Sequence, residues 1–161
     1  MEHAELTRIV EKYQKQLFVI AFHVCRNRSD AEDAVQEAFL KLWSKKPRLE
    51  GEEHLRNWLI RVTINQCRDQ LRSPFRAHLP LMEADAILTQ PDESSLAVSQ
   101  AILSLPEAYR TVVILYYYAD YSTAEIGKLL RRRTGTVQVQ LSRARAMLKD
   151  LLKEEWEDGS T

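Results

Sequence analysis

The last third of the chain contains two short helical patterns joined by a tight basic turn. The first pattern, residues 122–130, opens with Ser122 and Glu125 at the spacing of a capping box, and apolar residues follow at helical intervals. Residues 131–133 are all arginine, and a second helical pattern, which Thr134 can cap, follows at once. Two helices joined by so short a turn form a helix-turn-helix, a motif that presents its second helix to the DNA major groove.

The charge of this helix-turn-helix also favours DNA binding. Residues 122–149 contain one acid, Glu125, and seven cations, which are Lys128, Arg131, Arg132, Arg133, Arg143, Arg145 and Lys149. The whole chain carries 23 basic and 23 acidic residues, so contact with nucleic acid must come from local patches and not from bulk charge. The alternative is a solvated cationic hairpin without a ligand, since basic helix faces are common.

The rest of the chain predicts an all-α fold. No segment alternates polar and apolar residues as a half-buried strand does, and the five prolines lie between helical patterns or at their starts. We predict two small helical domains, residues 1–73 and 95–153, joined by a flexible linker over residues 74–94, where periodicity is lost and three prolines occur. Residues 154–161 form an acidic tail.

Several classes of protein are not expected. The N-terminus is amphipathic and charged, so we predict neither a signal peptide nor insertion into a membrane. Cys25 and Cys67 are too few and too far apart for a disulfide framework or a CxxC metal site, and we interpret them as buried free thiols. No catalytic arrangement or phosphate loop is found. We therefore expect a cytoplasmic protein that is not an enzyme and has no metal and no cofactor.

The N-terminal domain is predicted to contain three helices. The first covers about residues 6–24, and the second opens at Ser29, with Glu32 at capping-box spacing. The second helix has an acidic and polar face opposite its apolar stripe. The third helix runs from about residue 53 to 72, with Trp58 assigned to one of two apolar stripes. Its remaining strip is rich in arginine, and the residues on that strip are Arg56, Arg61, Asn65, Arg68 and Arg72. This composition favours phosphate contact, although pairing of the arginines with the acidic second helix remains an alternative.

Taken in order, these blocks resemble one known family. The segments DAEDAVQEAFLKLW, NWLIRVTINQCRDQLR, LPEAYR, STAEIGKLL and GTVQVQLSRARAML follow one another as in the small bacterial sigma factors of the extracytoplasmic-function (ECF, group IV) type of the sigma-70 family. The resemblance covers about residues 5–152. It implies that the first domain is sigma region 2 and the second is sigma region 4. It also implies recruitment of core RNA polymerase to promoter DNA in transcription initiation, under stress regulation by an anti-sigma factor.

The resemblance assigns roles to the first domain. Asp33, Gln36 and Glu37 are expected to dock on the clamp of the largest polymerase subunit through charge-assisted contacts. Region 4 is expected on the flap of the second subunit. The −10 element would be held by Arg56, Arg61, Asn65 and Arg68, with the loop of residues 45–53 receiving one extruded base.

The resemblance also assigns the −35 element to the helix that begins at Thr134. The residues expected to contact −35 DNA are Arg131, Arg132, Arg133, Thr136, Gln138, Val139, Gln140, Ser142, Arg143 and Arg145. Members of the family usually have glycine and an aliphatic residue where this chain has Arg131 and Arg132, so a different turn or backbone strain on a non-glycine residue is expected. They also usually have a basic residue, serine and arginine at positions 138–140. Because glutamine pairs with adenine and valine contacts the thymine methyl group, we expect a preference for A·T pairs.

Two alternatives remain open from the residues. The chain can be a stand-alone helix-turn-helix regulator, although such a regulator has no need of the acidic second helix. It can also be a sigma-like protein that has lost promoter reading and titrates polymerase or another regulator.

Overall fold

The fold consists of helices in two compact units. The computed structural model describes residues 1–72 and 93–159, which fall in two units, Met1–His78 and Leu79–Thr161. Within the described residues all regular secondary structure is helical, and the predicted all-α fold is confirmed. The predicted linker, residues 74–94, lies outside the described residues except for its last two, which belong to a helix.

Within residues 1–72 the first unit contains three helices, and each contacts the other two. They are α1 (His3–Cys25), α2 (Arg28–Lys45) and α3 (Gly51–Leu71). Their shared core contains Leu17, Ile20, Leu42, Leu59 and Ile60, all with their side chains fully buried. Burying a side chain of this size contributes about 1.5–3 kcal/mol, so this apolar core holds the bundle together.

The start of α2 differs from the prediction. Asn27, not Ser29, caps the helix, because its side-chain Oδ1 accepts a hydrogen bond from the backbone N–H of Asp30 at 3.1 Å. Ser29 lies inside the first turn. Glu32 accepts a hydrogen bond from Arg28 Nε at 3.1 Å, an i,i+4 ion pair on the exposed surface.

The third helix buries one broad face and not two separate stripes. The buried residues of this face are Leu55, Leu59, Ile60, Thr63, Ile64 and Cys67, and they meet both α1 and α2. Trp58, predicted to be core, is only half-buried and lies outside this face, next to Val62. The helix begins at Gly51, which has a φ of +86°. Because this start is earlier than predicted, the loop before the helix is shorter and covers residues 46–50.

The described part of the second unit, residues 93–159, packs four α-helices and a π-helical segment. The α-helices are α4 (Glu93–Leu103), α5 (Glu107–Val113), α6 (Thr123–Leu130) and α7 (Thr134–Gly159). Pro106 is the N-cap of α5. After Val113 the chain changes from an α-helix to a π-helix, Ile114–Tyr118, in which Ala119 N–H donates to the Ile114 carbonyl five residues back. Such π segments are rare and often occur at functional sites.

The turn between α6 and α7 forms a tight helix-turn-helix. The predicted capping box is confirmed, since Glu125 N–H donates to Ser122 Oγ at 3.1 Å and Ser122 N–H donates to Glu125 Oε1 at 3.0 Å. Arg131 ends α6 in the left-handed conformation, with φ +58°. The expected strain therefore does fall on a non-glycine residue. Thr134, expected to be the N-cap, is instead the first residue of α7, so the helix begins one position earlier than predicted.

Candidate nucleic-acid interface and docking face

The outward face of α7 consists of small and polar side chains. Val137, Leu141 and Ala144 are buried against the rest of the unit. The other side is exposed and includes the predicted contact residues Thr136, Gln138, Val139, Ser142 and Arg143, together with Gly135 and Ala146. Val139 exposes 48% of its surface, which is high for an apolar residue on a helix. Because most of these side chains are short, the helix can approach base edges closely.

The three turn arginines separate into two exposed residues and one inward-turned residue. Arg131 and Arg133 are exposed. Arg132 is half-buried, and its Nη1 donates to Gln140 Oε1 at 3.0 Å and to the backbone carbonyl of Ala108 at 3.5 Å. Arg132 and Gln140 therefore tie the turn to α7 and α5. Both were predicted to contact DNA, and the structure places them on the inner edge of the predicted interface.

Arg145 lies against two tyrosines of the π-helical segment. Its Nε donates to the Tyr117 hydroxyl at 2.5 Å, and its guanidinium carbon lies 5.3 Å from the Tyr116 ring centre and 5.6 Å from the Tyr117 ring centre. The hydrogen bond to Tyr117 raises the pKa of Arg145 above its usual value, so the side chain stays charged. No role was predicted for these tyrosines, because residues 28 apart in sequence give no local signal of contact.

The predicted −10 residues lie on two different faces of α3. Arg61, Asn65 and Arg68 share the side away from the core, with half-buried Trp58 on the same side. Arg56 and Asn65 are nine positions apart, which at 3.6 residues per turn places them about 180° around the helix. Arg56 turns toward α1, where its Nε donates to Gln16 Oε1 at 3.2 Å. The structure thus brings three of the four residues together.

Arg61 has spare hydrogen-bonding capacity. Its Nε is buried and has no hydrogen-bond partner within residues 1–72. A buried donor without a partner is costly, and an incoming acceptor such as a phosphate oxygen would remove that cost.

The exposed face of α2 carries an apolar residue among its polar ones. Asp33 and Gln36 are exposed and Glu37 is half-buried, as a docking face requires. Leu40 lies one turn beyond Gln36 and exposes 54% of its surface, and Trp43 exposes 38%. Leu40 was not predicted to belong to the docking face, although the helical period alone places it one turn after Gln36. Apolar side chains surrounded by polar ones are typical centres of protein interfaces.

An ionic cluster ties the start of α3 to α1. Glu52 accepts a hydrogen bond from the Tyr13 hydroxyl at 2.5 Å and forms ion pairs with Arg8 and Lys12, each at 3.2 Å. The hydrogen bond from Tyr13 is the main reason that the pKa of Glu52 is lowered to about 2. Burial and the contact with Glu52 raise the pKa of Tyr13 to about 12.

We expect this cluster to make the stability of the first unit depend on pH. A carboxyl group with a lowered pKa stabilises the folded state above its unfolded value of 4.5, and that contribution is lost as the pH falls toward about 2. Glu52→Gln should therefore unfold at lower urea concentration than the wild type at pH 7, with the difference shrinking as the pH falls below 4.5. Urea unfolding of the whole chain at several pH values measures this.

Glu53→Gln is the matched control for this prediction. Glu53 is an exposed carboxylate in the same first turn of α3. The difference in unfolding urea concentration between the wild type and Glu52→Gln is the quantity to compare. If this difference is equally large at pH 7 and pH 3, or if Glu53→Gln shows the same difference, the cluster does not act through ionised Glu52.

The two cysteines are buried and close to each other. Cys25 Sγ donates to Gln70 Oε1 at 3.8 Å, and Cys67 Sγ donates to the Ala21 carbonyl at 3.7 Å. The contact with Cys25 and the burial raise the pKa of Cys67, so this thiol is protonated and unreactive. The predicted buried free thiols are confirmed.

None of the helices within residues 1–72 and 93–159 combines the length and the apolar character needed to cross a lipid bilayer.

Comparison with known proteins matches both units to one family. Residues 9–76 match sigma-70 region 2, and residues 95–148 match sigma-70 region 4. The chain is 29% identical to the ECF RNA polymerase sigma factor SigW of Bacillus subtilis, over 91% of this chain and 88% of that protein. It is 31% identical to the ECF RNA polymerase sigma factor SigM of Mycobacterium tuberculosis, over 90% of this chain and 76% of that protein.

A solved structure has the same fold. The sigma factor RpoE of Bartonella quintana, crystallised in complex with the anti-sigma factor NepR, superposes with a TM-score of 0.74 and 23% identity, over 92% of this chain and 97% of that one. The matches to both family models and to SigM show that the chain belongs to the sigma-70 family, in its ECF group. Its role lies in the initiation and regulation of transcription, and the alternative of a stand-alone regulator from another family is wrong.

Proposed function

We propose that this protein binds core RNA polymerase and directs it to promoters by recognising a −35 element through α7 and a −10 element through α3. The proposal depends mainly on the outward face of α7, which joins small and polar side chains to the exposed cations Arg131, Arg133 and Arg143. Such a face matches the requirements of a helix in the major groove, where side chains read base edges and flanking cations hold phosphates. As in the family, the protein is a specificity subunit and carries out no bond chemistry.

Within the −35 interface, the residues divide by role. Gln138, Val139, Ser142 and Thr136 face the base edges, and an A·T preference follows from glutamine and valine. Arg131, Arg133 and Arg143 hold phosphates. Arg132 and Gln140 support the interface from its inner edge, through their mutual hydrogen bond.

The −10 element is assigned to the outer side of α3. Arg61, Asn65 and Arg68 hold the non-template strand there, and the loop of residues 46–50 lies directly before the helix to receive an extruded base. Arg56 orders the start of α3 on α1 through Gln16.

The polymerase contact is assigned to the outer face of α2. Asp33, Gln36 and Glu37 supply acceptors for a basic partner, and Leu40 supplies the apolar centre. The proposed partner is the clamp of the largest subunit, with region 4 on the flap of the second. The resemblance to a sigma factor crystallised with its anti-sigma factor supports control of this cytoplasmic protein by a partner of that kind.

The test is reconstitution with core polymerase and selection from DNA with randomised −10 and −35 positions. We expect enrichment of a defined pair of elements and transcription from them. In Arg131→Gln/Arg133→Gln, the slope of log affinity against log salt concentration should fall by about 1.8, since each phosphate contact contributes about 0.9.

Lys149→Gln/Lys153→Gln is the matched control, because it removes the same charge from exposed positions farther along α7. Tight binding to core polymerase without any selected sequence would favour the remaining alternative, a protein that titrates polymerase. No binding to core polymerase would contradict the proposed function as a whole.

A further inference from the structure

The cluster formed by Arg145, Tyr116 and Tyr117 has a geometry that packing alone does not require. All three contacts converge on one guanidinium, through one hydrogen bond of 2.5 Å and two ring faces within 5.6 Å of its central carbon. The rings themselves meet edge to face, 4.9 Å apart. The charged group is thus held by two neighbouring tyrosines, Tyr117 through its hydroxyl and ring and Tyr116 through its ring.

This cluster lies on the surface of the unit. Tyr117 exposes 54% of its surface, and Arg145 is also exposed. An exposed arginine usually samples many conformations, and ordering such a side chain on binding costs about 0.5–1.5 kcal/mol. The tyrosines therefore hold Arg145 in place, although this exposed side chain does not belong to the core of the unit.

The position of Arg145 places it beside the base-reading residues. Seven residues separate it from Gln138, so the two lie on the same edge of α7, about 10 Å apart along the helix axis. A phosphate that flanks the bases next to Gln138 is within reach of this edge. The guanidinium has five N–H donors. The Tyr117 hydroxyl accepts the one on Nε and Tyr116 also interacts with the group, so further N–H donors remain for the oxygens of a phosphate.

The π-helical segment is what supplies both rings. Tyr116 and Tyr117 lie within Ile114–Tyr118, where the helix is widened by one residue per turn, and both rings reach the same guanidinium. The deviation from α-helix thus falls on the residues that hold Arg145.

We propose that Tyr117 is a positioning residue for promoter binding, which holds the Arg145 guanidinium ready to clamp one backbone phosphate at the flank of the −35 element. This inference rests on the proposed function. It assigns Tyr117 a role in DNA affinity, although Tyr117 itself need not touch DNA.

The experiment is a double-mutant cycle in the reconstituted holoenzyme, on a duplex enriched from the randomised pool. Arg145→Ala should reduce the salt slope by about 0.9, the contribution of one phosphate. Tyr117→Phe removes only the hydroxyl, and it should weaken binding by about three- to tenfold with the salt slope retained. In the Arg145→Ala background, Tyr117→Phe should have no further effect, since the group that it positions is gone.

Tyr118→Phe is the matched control, because it makes the same change at the adjacent exposed tyrosine. The inference is overturned if the two variants have additive effects, if Arg145→Ala leaves the salt slope unchanged, or if Tyr117→Phe lowers only the melting temperature. If the wild-type holoenzyme selects no sequence, the proposed function is contradicted instead. A reduced salt slope in Arg131→Gln/Arg133→Gln shows that the −35 interface binds DNA, so a negative result with the Arg145 and Tyr117 variants then contradicts only this inference.

Discussion

Leu40→Asp is expected to weaken binding to core RNA polymerase by more than about tenfold while leaving the fold intact. Leu40 exposes 54% of its surface at the centre of the polar face of α2, so the new carboxylate stays in water in the free protein. In the complex it would be buried in the apolar centre of the interface that Leu40 is proposed to form, and burying a charge against apolar surface is far more costly than losing apolar contact. Measurement of the dissociation constant with core polymerase tests this directly.

Leu71→Asp is the matched control for that prediction. Leu71 is the last residue of α3 and also belongs to the exposed apolar residues of the first unit. The same substitution there should leave polymerase binding within about twofold. Equal losses at both positions would mean that added charge, and not the face of α2, decides the affinity.

Gly127→Ala is expected to lower the free energy of unfolding of the second unit by about 1–3 kcal/mol and to abolish promoter binding. A Cβ at position 127 would lie 2.7 Å from the Arg132 carbonyl oxygen, which is backbone and cannot rotate away. Arg132 N–H also donates to the Gly127 carbonyl at 2.8 Å, so the turn rests directly on this residue. The gain in helix propensity from alanine, about 1 kcal/mol, does not offset this clash.

Gly135→Ala is the control for the stability measurement. A Cβ at Gly135 would meet no atom within 4 Å, so alanine should leave the melting temperature of the second unit unchanged or raise it. Because docking on the clamp is assigned to α2 in the first unit, Gly127→Ala should still bind core polymerase through α2. A Gly127→Ala variant as stable as the wild type would show that the turn can shift at little cost.

Local rules were sufficient for much of the fold. Helical periodicity and the proline positions predicted the all-α fold, and the pair Ser122 and Glu125 predicted the start of α6 because a capping box involves only residues three positions apart. The same rule failed at α2, where Asn27 and Ser29 are both good caps. Nothing in the local pattern decides between two suitable caps so close together.

Contacts between distant residues account for most of what sequence reasoning missed in the candidate site. The inward turn of Arg132 depends on Gln140 and on the Ala108 carbonyl, and the order of Arg145 depends on a π-helix that no periodicity signals. The helical period alone places Arg56 on the opposite side of α3 from Asn65. Both residues were nevertheless predicted to lie on one strip, because that strip was defined by its arginine-rich composition.

Arg131 illustrates how stability and affinity can oppose each other at one position. Its left-handed backbone, with φ +58°, costs about 1–2 kcal/mol relative to a comfortable conformation, and glycine would avoid most of that cost. Glycine would also remove an exposed cation from the proposed DNA face. Directed evolution of this protein for heat resistance alone should therefore accumulate glycine at position 131, whereas selection for promoter occupancy at high salt should retain arginine.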